Sequence, residues 1–106
     1  MYAVIRRYAS KERGLTKDKL KDLQQRIDHD FVPMLHDVPG FHGYYAMNVN
    51  DRELVTISIC ETKAGVTETT RRAADFVKKD PLKDALGTPE VFEGDLMIVK
   101  EAIAAR

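Results

Sequence analysis

The strongest constraint on the fold is a strand predicted at residues 54–61, because no residue between Glu53 and Glu61 is charged. Alternate side chains of a strand point to opposite faces of the sheet, and a face exposed to water would carry charges. Neither face does so from Leu54 to Cys60, so we expect both faces to be covered. One set of side chains is Val55, Ile57 and Ile59, and the other is Leu54, Thr56, Ser58 and Cys60.

Some segments of the sequence have the residue pattern of strands, and in others apolar residues recur at the three- and four-residue spacing of helices. These segments follow one another in the order β-α-β-β-α-β. This order predicts a ferredoxin-like α+β domain over residues 1–106, with a four-stranded antiparallel sheet and both helices on one face. Strands are predicted at 2–8, 41–49, 54–61 and 96–99, and helices at 16–32 and 67–79.

Residues that cap or break helical structure mark the helix ends. Pro33 lacks a backbone N–H and is expected to end or kink the first helix near Val32. Gly65 is expected to break the chain before the second helix, with Thr67 as its N-cap. A polar turn is expected at residues 10–14. The apolar stripe predicted for the first helix is Leu20, Leu23, Ile27, Phe31 and Met34.

Two helices cover only one face of such a sheet, so the other face is expected to pack against the sheet of a second copy. The alternative is a face that tolerates exposed apolar residues, as many surfaces do. The 17 basic and 17 acidic side chains give a net charge of +0, which favours association and argues against nucleic-acid and anionic-membrane partners. No apolar run reaches the roughly 20 residues of a membrane span.

The single cysteine, Cys60, excludes an intrachain disulfide and a multi-thiolate zinc site, and it indicates a reducing cytoplasm. A small packed thiol is the default for Cys60, because a nucleophile would need a lowered pKa. His29 and His36 lie near one helical face, but without convergent Cys or carboxylate ligands they are expected to be exposed. No metal site is predicted.

Five short segments, in order along the chain, resemble the dimeric α/β-barrel superfamily, and within it the antibiotic-biosynthesis-monooxygenase-like domains. The segments are Val-Pro-Gly-Phe at 38–41, Tyr-Tyr at 44–45, Cys-Glu-Thr at 60–62, the helical run at 72–77 and Glu-Gly-Asp at 93–95. The resemblance implies a homodimer whose sheets face each other as a barrel, with a pocket between sheet and helices in each subunit. Members of this family include cofactor-independent oxygenases of polycyclic phenols and quinols, others degrade haem, and several have no assigned activity.

Transfer of individual residues from the family is poor. The family's first-strand Asn falls at Arg6, and its third-strand Asn and Trp fall at Thr56 and Cys60. The second helix has no His, which disfavours haem breakdown. The resemblance points Thr56, Ser58 and Cys60 into the pocket as substrate-binding residues, whereas periodicity alone places the aliphatic set against the helices.

Candidate catalytic residues follow the start of the second strand. A neutral His42 could take a phenolic proton, although a structural or surface role is also open. Tyr44 and Tyr45 point to opposite faces, so one could line the pocket and the other the dimer interface. Arg6 could anchor an acidic or phenolate ligand, or form a structural pair with Glu61 or Glu101.

The leading hypothesis is therefore a cytoplasmic homodimer that binds an aromatic or apolar small molecule between sheet and helices. If it is an enzyme, it is expected to be a monooxygenase without a cofactor. In that mechanism His42 or a tyrosine is the base and Arg6 stabilises the anion. The alternative is a non-catalytic ligand-binding or stress-related dimer of the same fold.

Overall fold

The computed structural model describes residues 1–9 and 15–102, so the polar turn expected at 10–14 lies outside the described residues. The predicted βαββαβ order and the ferredoxin-like α+β fold are confirmed. The four strands form one antiparallel sheet in the order β2-β3-β1-β4. The strands are β1 (Tyr2–Ala9), β2 (Phe41–Val49), β3 (Glu53–Cys60) and β4 (Glu90–Asp95).

The first helical segment changes its winding twice. Helix α1 (Lys17–Arg26) is capped by Thr16 and continues into a π-helical turn (Ile27–Phe31) and a 3₁₀ turn (Val32–Leu35). The π turn inserts an extra residue into the helical repeat. As a result Leu35 is fully buried and Met34 is 41% exposed, so the predicted stripe was wrong at Met34.

The second main helix, α2 (Lys63–Lys79), begins four residues before the predicted cap. Thr62, and not Thr67, caps it, with its Oγ1 accepting from the amide of Gly65 at 3.1 Å. Gly65 does not break the chain but allows close packing, since a Cβ there would lie 2.9 Å from Cβ of Cys60. The short helix α3 (Lys83–Leu86) follows within the expected loop.

The fourth strand lies before its predicted position. Residues 96–99 are not a strand; β4 is an edge strand that pairs only with β1, and all its residues are exposed. Without a buried side, β4 has no apolar alternation for a sequence pattern to detect. The amide of Leu96 donates to the carbonyl of Met1 at 2.9 Å, after which Met97 and Ile98 extend into solvent.

The two faces of the sheet have opposite surroundings. On β3 the set containing Thr56, Ser58 and Cys60 is buried under the helices, as the resemblance implied, and the orientation expected from periodicity alone was wrong. The opposite, open face carries one apolar residue from each strand in a single cross-strand row. We call this the open-face row, which consists of Tyr45, Ile57, Ile5 and Phe92.

Candidate functional site

A cleft of about 750 Å³ lies between α1 and the β2–β3 hairpin. Its apolar floor combines the stripe of α1 with two residues of the sheet, and Lys17, Lys21 and Asp28 line its polar side. Both central residues of the hairpin turn, Asn50 and Asp51, have positive φ, which is typical of a type I′ turn. The floor residues are Leu20, Leu23, Ile27, Tyr44 and Leu54.

A second, inner cavity of about 20 Å³ lies beyond the cleft, between the sheet and α2. Tyr8 and Thr56 reach it from the sheet, and Phe31 and Phe76 from the helical layer. Four side chains line both spaces, so they form a partition one side chain thick. The partition is Leu23, Ile27, Tyr44 and Leu54.

Arg6 lies directly behind the inner cavity and is only 1% exposed. Its Nε donates to Oγ1 of Thr56 at 3.1 Å, and its Nη2 to Oγ of Ser58 at 2.5 Å. Its Nη1 donates to two hydroxyls of α2, those of Thr69 at 3.4 Å and Thr70 at 2.8 Å. Four neutral hydroxyls therefore hold the guanidinium in place.

Within residues 1–9 and 15–102, no carboxylate forms a salt bridge with Arg6. The pairing considered with Glu61 or Glu101 is not found, since Glu61 contacts His42 and Glu101 is exposed. Burial lowers the pKa of Arg6, while the neighbouring Tyr8 and Tyr44 act in the opposite direction. The positive charge thus lies in a low-dielectric environment without a compensating anion, which is energetically unfavourable unless an anion binds nearby.

Tyr44 is one of the four residues of the partition. Its ring packs edge-on against Phe31, with ring centroids 5.5 Å apart. Burial raises the pKa of Tyr44 to about 12, although the charge of Arg6 acts in the opposite direction. A phenol with this pKa keeps its proton at neutral pH, so its hydroxyl can donate a hydrogen bond to a ligand oxygen.

The other two candidate catalytic residues do not line the cleft or the inner cavity. Tyr45 is 59% exposed on the open face. The imidazole Nε2 of His42 lies 3.2 Å from a carboxylate oxygen of Glu61 at the exposed start of β2. The structure therefore brings Tyr44 to the cavities but not Tyr45 or His42.

The four candidate substrate-binding residues lie at different depths between the sheet and α2. Thr56 lines the inner cavity, whereas Arg6 and Ser58 lie behind it in the hydroxyl network. Cys60 is completely buried against α2, where burial raises the pKa of its thiol. Its environment is that of a packed thiol and does not activate it as a nucleophile.

Several site residues were missed by the sequence reading. The partners of Arg6 on α2, Thr69 and Thr70, look like ordinary polar helix residues in the sequence. Leu23 and Ile27 were placed in the core by their spacing, but nothing in that spacing indicates that they also border a cleft.

A metal site is not formed by the described part of the chain, which has no group of three or more potential ligands. His29 and His36 are both exposed. No helix among the described residues is long and apolar enough to cross a membrane.

Comparison with family models and with curated proteins gave no match, but solved structures share the fold. A monooxygenase from the gene ActVA-Orf6 of Streptomyces coelicolor, in complex with nanaomycin D, has a TM-score of 0.66 at 15% identity, covering 99% of this chain and 92% of that one. Protein NE2512 of unknown function from Nitrosomonas europaea has a TM-score of 0.69 at 15% identity, with coverages of 97% and 95%.

A MhuD variant with two manganese protoporphyrin IX molecules per active site has a TM-score of 0.70 at 10% identity, covering 96% of this chain and all of that one. Another neighbour is described as a dimeric ferredoxin-like protein. The chain thus shares its fold with these solved structures, and at these identities the likeness extends to the fold alone.

Proposed function

Starting from this shared fold, we propose that the protein binds a phenolic or quinol-type aromatic molecule in the cleft and oxygenates it without a cofactor. The observation that carries the proposal is the buried charge of Arg6, which has no carboxylate partner among the described residues. A volume of about 750 Å³ is within the range of small-molecule sites. The apolar floor fits fused aromatic rings.

The positive charge of Arg6 favours the binding of a negatively charged, ionised ligand at this site. Arg6 is one hydrogen bond away from Thr56, which lines the inner cavity next to Tyr44. An opposite charge nearby lowers the pKa of an acid, by roughly one unit or more at close range. A phenol bound with its oxygen toward Tyr44 and Thr56 is therefore stabilised as the phenolate.

The reaction that follows from a bound phenolate is direct oxidation by dioxygen. In an anthrone-type substrate, ionisation releases one methylene proton to solvent and makes the ring carbon electron-rich. Dioxygen forms a bond to that carbon, and one of its oxygen atoms remains as a ketone. The other oxygen leaves as water with the two hydrogens of the original methylene group. The substrate supplies the electrons, so neither a metal nor a flavin is required.

The open-face row is proposed as the interface with a second copy of the chain. Tyr45 and Phe92 are 59% and 57% exposed there, and Ile5 and Ile57 lie between them on the central strands. Packing against the same face of another sheet would remove this row from water. A cytoplasmic location fits the single reduced Cys60.

Oxygen uptake with an anthrone or a polycyclic quinol tests the proposed reaction. We expect substrate-dependent oxygen consumption, with the ketone or quinone as product and none formed anaerobically. Arg6→Gln should slow turnover, and Arg7→Gln, which removes a charge from the opposite face, should not. No oxygen uptake with any such substrate would overturn the enzymatic proposal.

The alternative is a ligand-binding protein that performs no reaction. Two observations favour it: Tyr44 at the partition has a pKa of about 12, and His42 lies outside both cavities. Neither is then available as a base next to the ligand at neutral pH. Thermal stabilisation by aromatic ligands without turnover would support this alternative.

A further inference from the structure

The inner cavity has properties that the aromatic ligand does not explain. Its volume of about 20 Å³ is close to the 10–15 Å³ that a single water-sized molecule needs, and an aromatic ring cannot enter it. Most of its lining is carbon. The apolar lining includes Leu23, Ile27, Phe31, Leu54, Phe76 and Leu86.

A water molecule is a poor occupant for such a space. Buried waters generally make about three hydrogen bonds, and apolar cavities stay dry but take up apolar guests such as xenon. Three residues bring hydroxyls to this lining, namely Tyr8, Tyr44 and Thr56. The oxygen of Thr56 already accepts from Arg6 at 3.1 Å, and no buried side-chain nitrogen or oxygen of the described residues lacks a hydrogen-bond partner. A small apolar molecule therefore fits the cavity better than water does.

We propose that the inner cavity is the binding site for dioxygen, separate from the cleft that takes the aromatic ligand. This inference rests on the proposed function for its role in catalysis. The partition is one side chain thick, so the gas is held beside the ligand without competing for its space.

The position of Arg6 supports this assignment. One electron passing from the ligand phenolate to dioxygen produces a phenoxyl-type radical and superoxide. The new anion forms on the side of the partition where Arg6 lies behind Thr56. A fixed positive charge placed where negative charge develops favours that step. Superoxide then passes the partition and combines with the ligand radical, which forms a carbon-bound peroxide anion. This anion takes up a proton from solvent, equivalent to the one released on ionisation, and loss of water then gives the ketone.

Ala73 and Ala74 provide a matched pair of variants on α2. Ala73 is buried and lines the inner cavity, whereas Ala74 is exposed. Ala73→Val adds two methyl groups that fill the cavity, and Ala74→Val makes the same change in the same helix away from it. The two variants have similar helix propensity, so their difference reports on the cavity.

Paramagnetic broadening of methyl NMR signals by dissolved dioxygen locates the gas. We expect excess broadening at Leu23, Leu54 and Leu86 in the wild-type protein and in Ala74→Val, and none in Ala73→Val. Methyls of Val38 and Val66, which are buried in a separate cluster, serve as the reference. Xenon under pressure should compete with dioxygen and reduce the broadening in the wild-type protein, so this test requires no variant.

Uniform broadening of buried methyls, or an ordered water in the cavity, would overturn the assignment. With an active substrate, Ala73→Val should raise the KM for dioxygen roughly five-fold or more and leave the KM for the aromatic substrate unchanged. An unchanged KM for dioxygen would contradict the catalytic role. Cavity-specific broadening without any oxygen consumption would overturn the proposed oxygenation and leave the gas site standing.

Discussion

Arg6 and Arg7 are adjacent residues of β1 that lie on opposite faces of the sheet. Arg7 is on the open face, where it bonds Glu53 at 2.9 Å and Glu90 at 2.8 Å, and these hydrogen bonds raise its pKa. Arg6 is buried under α2 with four hydroxyls, and burial lowers its pKa. Residue type alone therefore does not indicate a role, since Arg7 has its counter-ions in place and Arg6 has none among the described residues.

The two faces of the sheet also differ in their surroundings. The helix-covered face is closely packed and contains the polar groups of the candidate site. The open face is apolar and uncovered in the monomer, apart from the ion pairs of Arg7. We propose that the first face binds a small molecule and that the second packs against the sheet of another copy. The following changes test this division.

The largest effect is expected from a charge placed in the open-face row. Ile57→Lys should weaken dimerisation roughly a hundred-fold or more, because each of the two copies would bury an unpaired charge. Ala74→Lys, on the exposed side of α2, is the control. Sedimentation over a range of concentrations measures the effect. A wild-type protein of 12.0 kDa at every concentration would contradict the proposed interface.

Substitutions of two glycines compare how tightly the two faces of the sheet are packed. Gly65→Ala should destabilise the protein by about 1–3 kcal/mol, because its Cβ would lie 2.9 Å from that of Cys60. Gly94→Ala should change the free energy of unfolding by less than about 0.5 kcal/mol, because no atom lies within 4 Å of its added Cβ. Urea unfolding measures both, and equal effects would contradict the difference in packing.

Alkaline pH should weaken the helix-covered face through Tyr44. Its pKa is raised from 10.0 to about 12, so the unfolded chain releases this proton at a lower pH than the folded protein. The contribution is fully present below pH 10 and is lost as the pH rises toward 12. Tyr44→Phe should therefore reduce the loss of stability between pH 10 and 12, measured by urea unfolding. If Tyr44→Phe loses as much stability between pH 10 and 12 as the wild-type protein does, the raised pKa of Tyr44 would be contradicted.

Much of the fold could be predicted because the sequence patterns of β1, β3 and α1 reflect their burial. The errors occur where tertiary contacts decide the structure. Gly65 was predicted to break the chain, because its close packing against Cys60 is not visible in the local sequence. The π turn moves burial from Met34 to Leu35, and no local signal marks it.

The site was less predictable than the fold, because it depends on long-range contacts. Strand alternation places Arg6 opposite Arg7, but it does not say which of them the helices cover. The hydroxyls of Thr69 and Thr70 reach Arg6 across more than 60 residues of sequence. Aliphatic residues on β3 suggested the wrong face because the buried face there holds polar side chains that solvate an arginine.

The most direct measurement is the phenol pKa of bound 2-naphthol, followed by absorbance in the wild-type protein, Arg6→Gln and Arg7→Gln. Glutamine is uncharged and can still bond the neighbouring hydroxyls. We expect binding to lower the phenol pKa by about one unit in the wild-type protein and in Arg7→Gln, but not in Arg6→Gln. An equal shift in all three proteins, or none in the wild type, would contradict the role of Arg6.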